Sequence, residues 1–155
     1  MQNMNIANSS SQAVQLLSRL IETPRISREE SKASQLLYDY MTEVCHLDVK
    51  RHGCNLWTIA PDFDANKPTL LLNAHIDTVK PVSGWQKDPW KATLEDGCLY
   101  GLGSNDDGAS LVTLLHAFIE LSSKHQPYNL VYLASAEEEV SGKNGIESVI
   151  PLLPR

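Results

Sequence analysis

The sequence predicts an α/β layered domain, and three observations point to it. Stripes of apolar residues at helical spacing alternate along the chain with short, continuous apolar runs of the kind that form buried strands. The composition, 42% hydrophobic and 21% charged, is that of an ordinary globular protein. The length of 155 residues suits one domain, and a chain of that size buries roughly 70% of the surface it exposes when unfolded.

Residues 1–10 are polar and rich in Asn and Ser, so a flexible N-terminus is expected there. From Ser11 onward Val14, Leu17, Leu20 and Ile21 recur on one helical face, and Pro24 ends the pattern. Ser27 and Glu30 read as the N-cap and N3 residues of a capping box. The helix that follows has an apolar face of Ala33, Leu36, Leu37, Tyr40, Met41 and Val44. Leu47–Arg51 and Asn55–Ile59 alternate as the arms of a hairpin around His52-Gly53-Cys54. After a polar loop over residues 61–68, the run Thr69–Ala74 suits a strand buried on both faces. Residues 80–92, with two prolines and two tryptophans, fit no regular element. Lys91–Tyr100 predicts a second hairpin, turning at Glu95-Asp96-Gly97. A helix starting near Asp106 follows, lined by Leu111, Leu114, Leu115, Phe118 and Ile119. Asn129–Ala134 is a second buried-strand candidate, and Lys143–Ile150 a short last helix before Pro151.

Charge and composition exclude several classes. The formal charge of -6, from 13 basic against 19 acidic residues, comes with no Lys/Arg cluster, so no nucleic-acid partner is expected. Apolar runs such as Leu130–Ala134 are too short to span a bilayer, and no membrane association is expected. Three cysteines with no C-x-x-C pair and no secretory signal fit a reducing cytoplasm. Cys45, His46, His52 and Cys54 can be drawn as a zinc knuckle, but adjacent Cys45-His46 is poor ligand spacing, and ordinary packing is the better reading.

Three clusters that could carry chemistry stand where strand candidates end. In His75-Ile76-Asp77 an extended backbone puts residues i and i+2 on the same side. The carboxylate can then hold the second ring nitrogen of a metal-bound imidazole. A structural His capped by an acid has the same signature. Gly101-Leu102-Gly103-Ser104-Asn105-Asp106-Asp107-Gly108 is not a dinucleotide loop, because Asp106 occupies the position of the third glycine and would repel a pyrophosphate. Helix capping accounts for one of its two adjacent acids. Glu137-Glu138-Glu139 reads either as a solvated loop or as carboxylates whose repulsion a divalent cation would relieve. Taken together, His75, Asp106 and Glu139 offer one imidazole and two carboxylates at strand ends, a donor set suited to zinc or a similar metal.

The runs Leu72-Asn73-Ala74-His75-Ile76-Asp77-Thr78-Val79, Gly101–Asp106 and Ser135-Ala136-Glu137-Glu138-Glu139-Val140, in this order, resemble the co-catalytic zinc aminoacylase/carboxypeptidase G/desuccinylase metallopeptidase family. Their wording is nearest to the acetylornithine-deacetylase branch, which works in arginine biosynthesis. The resemblance covers the chain from about Ser11 and implies the three-layer α/β/α, mixed-sheet catalytic domain of a zinc-exopeptidase-like enzyme. It implies two divalent metal ions, zinc or alternatively cobalt, with His75 and Glu139 as ligands to one each and Asp106 bridging both. Asp77 would steady the His75 ring, and the Asp106–Asp107 peptide would be cis. Glu138 would be the general base, taking a proton from water and passing it to the leaving amine. The implied substrate is a small N-acyl amino acid, acetylated or succinylated ornithine or a relative, and the alternative is a dipeptide. A non-catalytic α/β module is the reading from another class.

Departures accompany the likeness. Leu102 and Gly108 stand where members often have Arg and Lys, and Glu137 where Asp is common. The family's further acidic ligand, its final His and its inserted lid and dimerisation domain have no counterpart before Arg155. Residues 11–155 are therefore expected to be the N-terminal portion of a catalytic domain, inactive alone, whose full-length form is a homodimer.

Overall fold

The structure is a computed structural model that describes residues 6–154. Its first helix, α1, runs Ile6–Ile21, so residues 6–10 are helical where a flexible segment was expected. Val14, expected on the apolar face, is exposed, and Leu16, Leu17, Leu20 and Ile21 anchor the helix in the core. Extending an existing helix needs no new nucleus, so it runs back through middling helix formers. The expectation for residues 1–5 lies outside the described residues.

Helix α2, Ser31–Asp39, continues into a wider π turn at Tyr40–Val44. The capping box does not form. Ser27 turns its hydroxyl to the Asp77 carboxylate at 2.7 Å and its N–H to the Thr78 carbonyl at 3.1 Å. Arg28 is left-handed, with φ 72°, and the helix starts only after Glu30, which makes no capping bond.

Strands β1 (Val49–His52) and β2 (Asn55–Ile59) form the expected hairpin, with His52 paired to Asn55. Strand β3, Thr69–His75, pairs in parallel with β6, Asn129–Ser135, and β2 pairs antiparallel with β6. The order β1-β2-β6-β3 makes a mixed sheet. β6 is central and buried along its whole length. Against the expected burial on both faces, β3 has β6 as its one neighbour among the described residues and is exposed at Thr69, Leu70 and Asn73 and buried only at Ala74 and His75. A separate hairpin, β4 (Thr93–Glu95) and β5 (Cys98–Tyr100), turns through Asp96 and Gly97 at φ 52° and 78°, the positive pair that a two-residue turn demands.

Alternation along the strands sorts the core into two layers. Leu56, Leu130, Tyr132 and Ala134 face α1, α2 and helix α3, Gly108–Ser122, and pack with Leu16, Leu20, Leu37, Leu111, Leu115 and Phe118. Trp57 and Leu133 face the other way, onto Val149 of the single-turn helix α4, Ile146–Val149. The last helix is shorter than expected, since residues Ile150–Leu152 tighten into a 3-10 turn that includes Pro151, whose ring cannot continue an α-helix. Among the described residues no helix is long and apolar enough to cross a membrane.

Candidate metal centre

Parallel pairing in register, Ala74 with Ala134 and His75 with Ser135, makes β3 and β6 end together. The Ile76 N–H extends the ladder to the Ser135 carbonyl at 2.7 Å. The two segments beyond, His75–Asp77 and Ala136–Glu139, therefore leave the same sheet edge side by side, where open α/β sheets bind ligands. The loop after β5 brings in the third segment. The Asp107 carboxylate accepts the His75 N–H at 3.2 Å, and the Asp106–Asp107 peptide is cis. Neither acid caps α3: Asp107 stands at the N-cap without a capping bond, and the Asp106 side chain is 75% exposed.

One ligand atom from each of His75, Asp106 and Glu139 lies within 4.8 Å of the other two. His75 Nε2 is 3.1 Å from Asp106 Oδ1 and 3.7 Å from Glu138 Oε2. Its other nitrogen, Nδ1, is 2.9 Å from the Asp77 carbonyl oxygen and 3.5 Å from Asp77 Oδ1, so the ring is fixed from behind and its Nε2 faces the acids.

Asp77 does more than the H-x-D spacing predicts. Fully buried, it also accepts the Ser27 hydroxyl and the backbone N–H groups of Glu138 and Glu139, at 3.0 and 3.2 Å. One carboxylate thus orients the imidazole and the start of the glutamate loop together. Burial alone would raise its pKa, but the His75 ring, Ser27 and the two N–H groups hold it down at about 2. For His75, burial disfavours the cation, yet the Asp77 side chain and carbonyl and the Asp107 charge outweigh it and lift the pKa to about 9. Glu139 is pushed up by burial, then by the neighbouring charges of Asp106, Glu138 and Asp77. An oriented imidazole beside the crowded carboxylates of Asp106, Glu138 and Glu139 is a set that a divalent cation fits.

Several residues support the site without a local sequence signal for that role. Glu30, buried between α2 and the sheet, accepts the Glu137 N–H at 3.2 Å. Asn55 accepts the Ala136 N–H at 2.9 Å and donates to the Asn144 carbonyl at 2.6 Å. Glu137, left-handed at φ 54° and buried, accepts the Asn144 side-chain amide at 2.8 Å. It anchors the loop rather than facing the acid cluster. Arg25 is buried and spans two segments of the site by donating to the Ile76 and Gly103 carbonyls. Ser27 did carry a signal, S-x-x-E, but one that reads as a helix cap. Leu102 is buried, with its N–H on the Pro89 carbonyl.

The other candidates lie apart. Cys45 packs against the main core, and among the described residues the one group of three or more potential metal ligands is His75, Asp106 and Glu139. His116 faces the Tyr40 hydroxyl at 3.2 Å, and His125 stands exposed near Asp62.

The sequence profile of peptidase family M20/M25/M40 matches residues 71–154, which hold all three motifs and more than half of the chain. The chain belongs to this family. A succinyl-diaminopimelate desuccinylase from Blochmanniella floridana is 28% identical over 150 residues, covering 90% of this chain and 38% of that protein. The mouse N-fatty-acyl-amino acid synthase/hydrolase PM20D1 is 31% identical over 147 residues, covering 86% and 29%. Among solved structures, human carnosine dipeptidase 1 superposes with TM-score 0.69 at 19% identity, over 93% of this chain and 36% of that one. A dinuclear metal-binding M20 peptidase of Bacillus subtilis does so with 0.68 at 15%, over 94% and 40%. These structures bear out the α/β fold with its mixed sheet. The M20 chain spans well under half the length of each of these relatives.

Proposed function

We propose that the natural protein carrying this segment is a metal-dependent amidohydrolase that removes an acyl group, acetyl or succinyl, from an amino acid. The observation that carries this is the meeting of His75, Asp106 and Glu139 at one sheet edge, with Asp77 buried behind them. His75, Asp106 and Glu139 would hold two divalent ions, zinc or cobalt, with Asp106 shared between them. Bound there, such ions supply Lewis acidity, polarising an amide carbonyl and making a water molecule acidic enough to lose a proton near neutral pH. Glu138 has the position of a proton carrier: its side chain is 58% exposed and its Oε2 lies 3.7 Å from His75 Nε2. It takes the proton from the attacking water and delivers it to the departing nitrogen as the C–N bond breaks, leaving a carboxylic acid and a free amine. Asp77 keeps the His75 ring and the Glu138 backbone in place while the proton moves.

The curated relatives favour acyl amino acids as the substrate class, because the names of the two quoted above refer to succinyl- and fatty-acyl-amino compounds. Diaminopimelate joins ornithine as a candidate amine. Dipeptides are the second reading, supported by the dipeptidase among the structural neighbours. The proposal includes a cytoplasmic homodimer.

The test is an assay of the full-length protein, loaded with zinc or cobalt, on N-acetyl- and N-succinyl-ornithine, N-succinyl-diaminopimelate and a dipeptide panel. Release of amine from an acyl amino acid, lost on chelation, is expected. Glu138→Ala should lower kcat by roughly 10²–10⁴-fold with metal content intact. Loss of metal in that variant would exchange its role with that of a ligand, and turnover of dipeptides alone would select the second reading.

A further inference from the structure

Arg25 is the largest side chain in the fully buried set, 1% exposed, in a part of the chain with no catalytic motif. Its Nη1 donates to the Ile76 carbonyl at 2.6 Å and its Nη2 to the Gly103 carbonyl at 2.8 Å. Ile76 lies between His75 and Asp77, and Gly103 lies at the head of the loop that delivers Asp106. The Arg25 carbonyl in turn accepts the Thr78 N–H at 2.9 Å. The residue therefore grips the strand end through both backbone and side chain, and the Asp106 loop through the side chain.

The surroundings are shaped to the guanidinium. A Cβ on Gly103, at φ +69°, would lie 2.6 Å from Nη2, and a Cβ on Gly108 2.9 Å from the same atom. Two glycines thus leave the space that the fork occupies. The Gly103 carbonyl also accepts the Gly108 N–H at 3.0 Å, so one oxygen joins Arg25, the loop and the start of α3. Charge-assisted bonds from a planar fork to two separate carbonyls fix the distance between them, which a lysine ammonium on a flexible stem does not do.

We propose that Arg25 is a positioning residue for the metal centre, setting the separation between His75 and the Asp106 loop by clamping the backbone next to His75 and at Gly103, three residues before Asp106. This rests on the metal reading above, and the experiment separates the two. The full-length protein and its Arg25→Met and Arg25→Lys variants are prepared metal-free and checked by circular dichroism. Each is titrated with cobalt, followed by calorimetry and by the visible absorption band, which reports ligand geometry. Folded Arg25→Met is expected to bind cobalt about 10–100-fold more weakly, the range for residues that orient metal ligands, with an altered band. Arg25→Lys, able to reach one carbonyl at a time, is expected to fall between. A folded Arg25→Met that is less stable but unchanged in cobalt affinity and band overturns the proposal, because the residue is then only structural. If Arg25→Met does not fold, Arg25→Lys decides: weaker binding with an altered band supports the clamp, and unchanged values overturn it. Absence of cobalt uptake by the unsubstituted protein defeats the metal reading and this inference with it. Uptake by the unsubstituted protein and equally by the variants defeats this inference alone.

Discussion

His75 and His116 are buried to nearly the same degree, 8% and 7% exposed, yet their surroundings drive them in opposite directions. His75 has the Asp77 carboxylate and carbonyl on one nitrogen and Asp106 on the other, and its pKa is lifted to about 9. His116, inside α3, faces the Tyr40 hydroxyl, and burial lowers its pKa. Burial therefore does not decide what a histidine does; the charges assembled around it do. One region concentrates acids that an apolar core would exclude, and the other is ordinary packing with a polar contact.

The sharpest way to break the contrast is to remove the acid that makes His75 unusual. Asp77→Ala leaves the Glu138 and Glu139 N–H groups without their acceptor and takes the shorter of two bonds from the Ser27 hydroxyl. It also removes the buried countercharge of the His75 ring, which keeps only the backbone carbonyl of residue 77. We expect it to cost about 3 kcal/mol in chemical denaturation and to abolish tight metal binding. Gly103→Ala comes next. A side chain there meets both a left-handed backbone and the Arg25 guanidinium, and a loss of about 2 kcal/mol in thermal unfolding is expected. Asp106→Ala should behave in the opposite manner. Its carboxylate is mostly exposed and crowded by like charges, so the metal-free protein should stay within about 0.5 kcal/mol of its stability, while calorimetry shows metal affinity collapsing.

The smallest effect is the pH response of the other histidine. A group whose folded pKa is lowered contributes its stability fully above its unfolded value, near 6.5, and loses it as pH falls below. His116 should thus withdraw stability as pH falls from about 7 to 5, opposite in sense to His75 with its raised pKa, so its part is read as the difference in slope between the unsubstituted protein and His116→Asn. Denaturation midpoints across this range check it, and identical slopes in both proteins would contradict it.

How much of this was legible in the sequence depended on how local each cause is. The β1–β2 and β4–β5 hairpins were readable because residues such as Asp96-Gly97 set the turn by themselves. The exposure of β3 was not, because it follows from which strands pair across the chain. Ser27 was misread for a related reason: S-x-x-E looks like a cap, but an acid 50 residues away takes the hydroxyl. The acids and His75 stood out because each follows a strand candidate and burial of such groups needs a reason. Arg25 after Pro24 had no pattern to give it away, and only its two carbonyl partners do.

The proposed chemistry depends on a metal centre at His75, Asp106 and Glu139. Its most direct test is a crystal of the full-length protein grown with zinc, with diffraction collected on both sides of the zinc absorption edge. An anomalous peak is expected at bonding distance, about 2.0–2.2 Å, from His75 Nε2 and from carboxylate oxygens of Asp106 and Glu139. A peak elsewhere, or none among these three side chains at saturating zinc, would contradict it.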